Sequence, residues 1–221
     1  MSRDPPDAET EPMKKQIPNI LTYGRLVLCV VMFVALIMIG RQISGLEGWL
    51  PIDVWKHIAF WSFIVAAVTD FLDGYLARRW GVVSMTGAIL DPIADKVLVC
   101  GAILGLLGLG LPGMTGMLIA SGAILFREFA VSALREVLAP RGIKLPVTFL
   151  AKTKTTLQLV ALAAIMAIIF IDAWWPNLDT LSVAPVLKAL AFAQAFYGFA
   201  AAVTVWTGIE YGLAARKALK A

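Results

Sequence analysis

The chain has 221 residues, 60% of them hydrophobic and only 15% charged, with a mean hydropathy of +0.82. A soluble domain of this length carries more charge, so a polytopic helical membrane protein is the plain reading. The formal net charge of +4 comes from basic residues scattered between apolar runs, which is no nucleic-acid signal and favours membrane lipids with anionic head groups as partners.

Taken in chain order, residues 1–16 are polar, acidic and proline-containing and are expected to form a disordered tail, leaving 17–221 as a single membrane domain. Lys14 and Lys15 precede an apolar run from Leu26 to Ile39 that lacks a small-x-small cleavage site and is followed by more spans. It reads as a retained first helix, not a secretory signal. Pro18-Asn19-x-x-Thr22-x-x-Arg25 opens that run, with Pro and a capping Asn in the pattern of a helix start. Membrane spans are expected at about 20–40, 58–79, 86–110, 114–137, 152–172 and 186–210. The fold class is therefore all-α integral membrane, with about six transmembrane helices bundled around a cytoplasm-facing polar active-site cavity.

Leu111-Pro112-Gly113 predicts a tight turn between the third and fourth spans. Trp49, Trp55 and Trp61 cluster at one outer boundary, and Trp174 and Trp175 mark another. Lys and Arg fall overwhelmingly on one side, with only Arg41, Lys56 and Lys188 on the other. Both termini and the carboxylate-rich segment are thereby placed in the cytoplasm of a cell whose inner membrane holds the protein. Cys29 and Cys100 lie in apolar runs and read as buried thiols, not a disulfide; His57, near an interface, reads as structural. Gly101-x-x-x-Gly105 offers a smooth surface, either for packing within the chain or for a homodimer.

The densest chemistry lies between Asp70 and Asp95, DFLDGYLARRWGVVSMTGAILDPIAD. Asp70 and Asp73 are three apart and Asp91 and Asp95 four apart, so on helices each pair shares a face. Carboxylates beside apolar spans are expensive and normally face a cavity. Two facing pairs make an oxygen-rich pocket suited to Mg²⁺ or Mn²⁺. Salt bridging to Arg78 and Arg79 would account for one carboxylate, but four clustered anions need further cations. Pro92 either starts the third helix or opens a backbone hydrogen bond inside it.

Asp70, Asp73-Gly74, Ala77-Arg78, Gly87, Asp91 and Asp95 together resemble the signature of the CDP-alcohol phosphotransferase family at every position. The resemblance implies a membrane enzyme that condenses a CDP-linked group with an alcohol and releases CMP. It implies two divalent metal ions held by Asp70, Asp73 and Asp91, with Asp95 shared between metal binding and catalytic base, roles that spacing alone does not separate. It also sets Gly74, Ala77, Arg78 and Gly87 against the CDP-diacylglycerol donor. The first span's opening is similar to the family's PNxxTxxR element, which gives Asn19, Thr22 and Arg25 a donor-binding reading beside the capping one.

Two polar clusters follow. Glu128 and Arg135, in RExxVSxLRE, are seven apart and placed to pair. For Arg141 and Lys144 a positive cytoplasmic flank is explanation enough. Arg127, Arg135, Lys152 and Lys154 support a second reading, a basic pocket for a second phosphate. RExxVSxLRE and KTKTTxQ resemble the family branch whose acceptor alcohol is glycerol 3-phosphate. The rivals are family members with other acceptors (phosphatidylserine, phosphatidylinositol-phosphate and cardiolipin synthases), a cation- or proton-coupled transporter, and a lipid-binding subunit with a dead site. A transporter would carry carboxylates through the membrane depth and paired discontinuous helices, and neither pattern is visible.

Overall fold

The structure, a computed structural model, describes residues 10–80, 85–111, 113–142, 149–175 and 183–219, with side chains for 20–72, 89–111, 113–142, 153–175 and 183–219. Every regular element among them is helical: α1 (Thr10–Ile43), α2 (Ile52–Trp80), α3 (Met85–Gly108), α4 (Thr115–Leu138), α5 (Phe149–Ile169), α6 (Ile171–Trp174) and α7 (Val183–Ala218). Helices are what apolar spans must form, because in lipid each backbone donor and acceptor needs a partner within its own segment. The stretches Ile20–Ile43, Ile52–Leu72, Thr115–Arg141 and Val183–Ala218 are long and apolar enough to cross a bilayer, and a shorter apolar run, Thr153–Ile169, lies in α5. The protein is an all-helical membrane protein.

The expected spans at 86–110, 114–137 and 152–172 correspond to α3, α4 and α5 with shifts of a few residues. The first and last helices are longer than expected. α1 begins at Thr10, inside the segment assigned to the tail, because Glu11, Met13, Lys14, Lys15 and Gln16 are good helix formers and carry the first span backwards. Asn19 therefore lies within α1 and not at its N-cap, which removes the capping reading. Residues 1–9 of the expected tail lie outside the described residues. α7 has 36 residues, about 54 Å at 1.5 Å per residue, and so exceeds a hydrocarbon core of roughly 30 Å. Pro92 is inside α3 and has no N–H to give the carbonyl of residue 88.

The chain divides into two compact units, residues 1–105 and 106–221. In the first, α1 lies along α2. Met32, Leu36 and Ile39 of α1 and Ala59, Phe63 and Ala66 of α2 are buried at matching i, i+4, i+7 spacings, the alanines allowing close approach. The glycine stripe of α3 meets α1: a Cβ at Gly101 would sit 3.3 Å from the Met32 methyl carbon, and one at Gly105 only 2.9 Å from Leu36 Cβ. Packing within the chain is thus the use this stripe serves. Between α1 and α2, Gly45 takes φ +81°, and Gln42 Nε2 donates to the Leu50 carbonyl at 2.9 Å. Trp49 there is 93% exposed, as an interfacial ring would be. His57 Nδ1 lies 2.7 Å from the Asp53 carbonyl, a local helix contact that fits its structural reading.

In the second unit both α4 and α5 pack along α7. The buried stripe of α4 runs Met117, Ser121, Ile124, Arg127, Val131, and that of α7 includes Tyr197, Ala200, Thr204, Thr207 and Tyr211. Polar side chains on these faces find partners across the helices, as Ser121 Oγ and Tyr197 Oη do at 2.9 Å. Gly110 and Gly113 take φ +63° and +81° ahead of α4, and Pro112 of the expected Leu111-Pro112-Gly113 turn lies outside the described residues. Cys29 and Cys100 are both free of disulfides.

Candidate functional site

The acidic segment converges on a guanidinium. Arg25 of α1 is fully buried and meets a carboxylate from α2 and two from α3. Its Nη1 donates to Asp95 Oδ1 at 2.8 Å and also to Asp70, while Nη2 lies 3.7 Å from Asp91 Oδ1. Thr22, one turn earlier on α1, donates to the same Asp91 oxygen at 2.7 Å. A buried guanidinium among apolar helices costs several kcal/mol per ion unless paired, and anions crowded together need a cation. Each thus offsets the other's cost. The arrangement leaves the carboxylates within reach of solvent: the side chains of Asp91 and Asp95 are 50% and 46% exposed.

Thr22 and Arg25 therefore stand with Asp70, Asp91 and Asp95, all within the first unit. Arg25 is covered, so in this arrangement it holds carboxylates and does not present itself to a ligand. The side chains of Asn19, Asp73, Gly74, Ala77, Arg78, Gly87 and Lys152 lie outside the described residues.

The donor chemistry of this cluster fits a divalent metal. Carboxylate oxygens are the ligands Mg²⁺ and Mn²⁺ prefer, and three such side chains come from two helices to one point. Among the described residues, no three acidic, His or Cys side chains close on one another tightly enough to hold an ion, since these oxygens turn to Arg25.

A second polar cluster occupies the other unit. Arg127, only 6% exposed, donates from Nη1 to Glu128 Oε1 at 3.0 Å and from Nη2 to Thr207 Oγ1 at 3.1 Å. Lys154 of α5 reaches the same Glu128 oxygen. Arg135 turns away from Glu128, its expected partner, and donates to the Tyr211 hydroxyl at 2.7 Å. Tyr211 is the shared support: its ring centroid is 5.7 Å from the Arg127 guanidinium carbon and 4.9 Å from that of Arg135. Gly208 leaves room for the arginine stem, since a Cβ there would lie 2.7 Å from Arg127 Cγ. Behind these, Gln158 donates to Thr204 Oγ1 at 2.6 Å. The structure thus joins three of the four predicted cations, Arg127, Arg135 and Lys154, into one site.

Thr204, Thr207, Gly208 and Tyr211 escaped the sequence reading. The signal was there: Thr204, Thr207 and Tyr211 are spaced three and four apart in an apolar helix, so one face of α7 is polar where lipid would favour none.

In the first unit an apolar groove of about 280 Å³ between α1 and α3 is lined by Cys29, Phe33, Val97, Cys100, Gly101 and Leu104. Cys29 follows Arg25 by one helical turn, so the groove starts next to the carboxylate cluster.

Residues 15–206 match the family model described as CDP-alcohol phosphatidyltransferase. Three similar proteins carry the name CDP-diacylglycerol–glycerol-3-phosphate 3-phosphatidyltransferase. One from Cereibacter sphaeroides is 47% identical over 152 residues, 68% of this chain and 63% of that protein, so the match spans just under two thirds of the relative's length. One from Shigella flexneri is 36% identical over 206 residues, covering 92% of this chain and 97% of the relative. One from Escherichia coli is 35% identical over 207 residues, with the same coverage.

Proposed function

The chain belongs to the CDP-alcohol phosphatidyltransferase family, and we propose that it transfers the phosphatidyl group of CDP-diacylglycerol to glycerol 3-phosphate, giving phosphatidylglycerol phosphate and CMP. The observation that carries this reading is the presence, in one membrane chain, of two polar clusters of opposite character. One is carboxylate-rich, around Arg25; the other holds three cations, Arg127, Arg135 and Lys154, for one described carboxylate. The surplus of positive charge fits an acceptor with a phosphomonoester, and a serine or choline acceptor would not call for it.

Asp70, Asp73 and Asp91, with Asp95 in part, would hold the divalent metals on which this family depends. Bound there, the metals supply positive charge to the diphosphate and to departing CMP. Arg78, by its place in the signature, contacts the diphosphate, and Gly74, Ala77 and Gly87 leave room for the nucleotide. Asn19 lies on the same helix as Thr22 and Arg25, which hold the carboxylates in register. Asp95 takes the proton from the acceptor's primary hydroxyl. The hydroxyl oxygen bonds to the β-phosphorus, and the bond from that phosphorus to the oxygen bridging it to the CMP phosphate breaks. Arg127, Arg135, Lys152 and Lys154 hold the acceptor's phosphate. The groove beside Cys29 and Cys100 takes an acyl chain of the donor. Both termini and the site face the cytoplasm of a bacterial inner membrane, where the nucleotide-activated lipid and the phosphorylated acceptor are available. A homodimer, if formed, uses a face other than Gly101 and Gly105, which pack against α1.

The test is CMP release by detergent-purified protein given CDP-diacylglycerol and Mg²⁺ or Mn²⁺, with each candidate alcohol offered separately. Release with glycerol 3-phosphate alone, abolished by a chelator, is expected. Release with serine or inositol phosphate instead would keep the family and discard the acceptor. Failure with every alcohol, from folded protein, would reopen the transporter and subunit readings.

A further inference from the structure

We propose that Glu128 is a placeholder for the acceptor's phosphate and thereby determines which acceptors are admitted. The inference rests on the reading of Arg127, Arg135 and Lys154 as the acceptor's phosphate site. A single oxygen, Oε1 of Glu128, receives hydrogen bonds from Arg127 Nη1 at 3.0 Å and from Lys154 Nζ. That is the position a phosphate oxygen takes between an arginine and a lysine. Glu128 itself is 19% exposed, whereas Arg127 and Lys154 are nearly covered, so the carboxylate is the member of the trio with a way out. The two arginines are fixed from behind. Arg127 is anchored on Thr207 and, with Arg135, packs on the Tyr211 ring, so these arginines keep their places when the carboxylate moves.

The charges set the selectivity. With Glu128 in place the described cluster has three positive charges and one negative, a formal excess of two that matches a phosphomonoester dianion. A ligand that takes the carboxylate's place must repay two charge-assisted hydrogen bonds. A dianion with three terminal oxygens does so. A neutral alcohol such as free glycerol offers nothing in exchange and leaves the site closed. Glu128 also keeps nearly covered cations from standing without an anion before the acceptor arrives.

The placeholder reading and a purely orienting role predict opposite signs for Glu128→Gln. If Glu128 competes with phosphate, the variant binds inorganic phosphate more tightly and lowers the apparent KM for glycerol 3-phosphate, by about threefold to tenfold for the loss of roughly one net hydrogen bond's competition. If Glu128 merely orients the cations, both constants worsen. Because the variant also loses an ion pair, thermal stability of the detergent-solubilised protein is measured with and without inorganic phosphate, with CMP present to fill the donor side. The placeholder predicts a lower melting temperature without phosphate and a larger rise on adding it than in the wild type. Glu128→Asp, whose shorter carboxylate spans the two cations poorly, should fall between the two. A phosphate-induced rise in Glu128→Gln equal to or smaller than the wild-type rise overturns the placeholder while leaving the acceptor site intact. No phosphate effect in any form of the protein, with CMP release only for an unphosphorylated alcohol, overturns the acceptor site and the placeholder together.

Discussion

Arg25 Nη1 lies 2.8 Å from Asp95 Oδ1, joining α1 to α3 at the carboxylate assigned as base. The contact gives Asp95 a fixed direction and a positive charge close by. The same guanidinium also meets Asp70 and Asp91, so three acidic groups depend on one cation.

Replacing Arg25 by Gln should cost about 3–5 kcal/mol of stability, the usual effect of removing one member of a buried charged group. The carboxylates left behind repel one another and accept a divalent ion more readily. The melting temperature of Arg25→Gln should therefore rise more on adding Mg²⁺ than that of the wild type. An equal or smaller rise would show that Arg25 does not neutralise this cluster.

Asp95→Asn removes the proton acceptor and keeps the shape. Turnover should fall by about 10²–10⁴, the range for a lost general base, while binding of CDP-diacylglycerol in the presence of metal is largely kept. Single-turnover CMP release and equilibrium binding separate the two effects, and a parallel loss of binding would make Asp95 chiefly a metal ligand.

Tyr211→Phe deletes the hydroxyl that accepts from Arg135 and leaves the ring against both arginines. The expected result is a severalfold rise in KM for glycerol 3-phosphate, on the order of 1 kcal/mol, with KM for the lipid donor unchanged. Tyr211→Leu should do more, since the cation–π support goes as well. Equal effects on both substrates would place Tyr211 outside the acceptor site.

Gly208→Ala sets a methyl group 2.7 Å from Arg127 Cγ and forces the arginine stem to shift. Arg127→Ala removes the guanidinium altogether. Both should raise KM for glycerol 3-phosphate more than for CDP-diacylglycerol, the alanine at 127 by the larger factor, in steady-state CMP release. A change confined to the lipid donor would contradict the assignment.

The cysteines report on the groove between α1 and α3. Cys100 is partly accessible and Cys29 is 2% exposed, so a membrane-permeant maleimide should label Cys100 first. CDP-diacylglycerol should slow that labelling and CMP alone should not, as read by mass spectrometry. Protection by both would indicate a general tightening instead of an acyl chain in the groove.

Much of this was legible from the chain. Apolar runs of span length placed α3, α4 and α5, because segment length in a bilayer is set by its thickness. The spacing of Asp91 and Asp95, and the cations Arg127, Arg135 and Lys154 of RExxVSxLRE and KTKTTxQ, named side chains that cluster. Partner choice was hidden. Glu128 and Arg135 have a helical spacing that permits pairing, yet Lys154 and Tyr211 arrive from α5 and α7 and divide them. The start of α1 was misplaced for another reason: a proline and an asparagine resemble a cap, whereas the residues before them favour helix on their own. No linear pattern tells that Arg25 will be enclosed by carboxylates from two later helices.

Synthesis of the chain meets that guanidinium in an awkward order. Arg25 belongs to α1, and its partners Asp70 and Asp95 emerge 45 and 70 residues later. Until they do, α1 carries an unmatched charge near one end of its apolar stretch, where water or the insertion machinery must hold it. Burial of Arg25 waits for α2 and α3 to arrive. Assembly of the carboxylate cluster and the enclosure of Arg25 are then one step. A nascent chain cut short after α1 lacks these partners for Arg25, and one that has reached α3 has the carboxylates that enclose it.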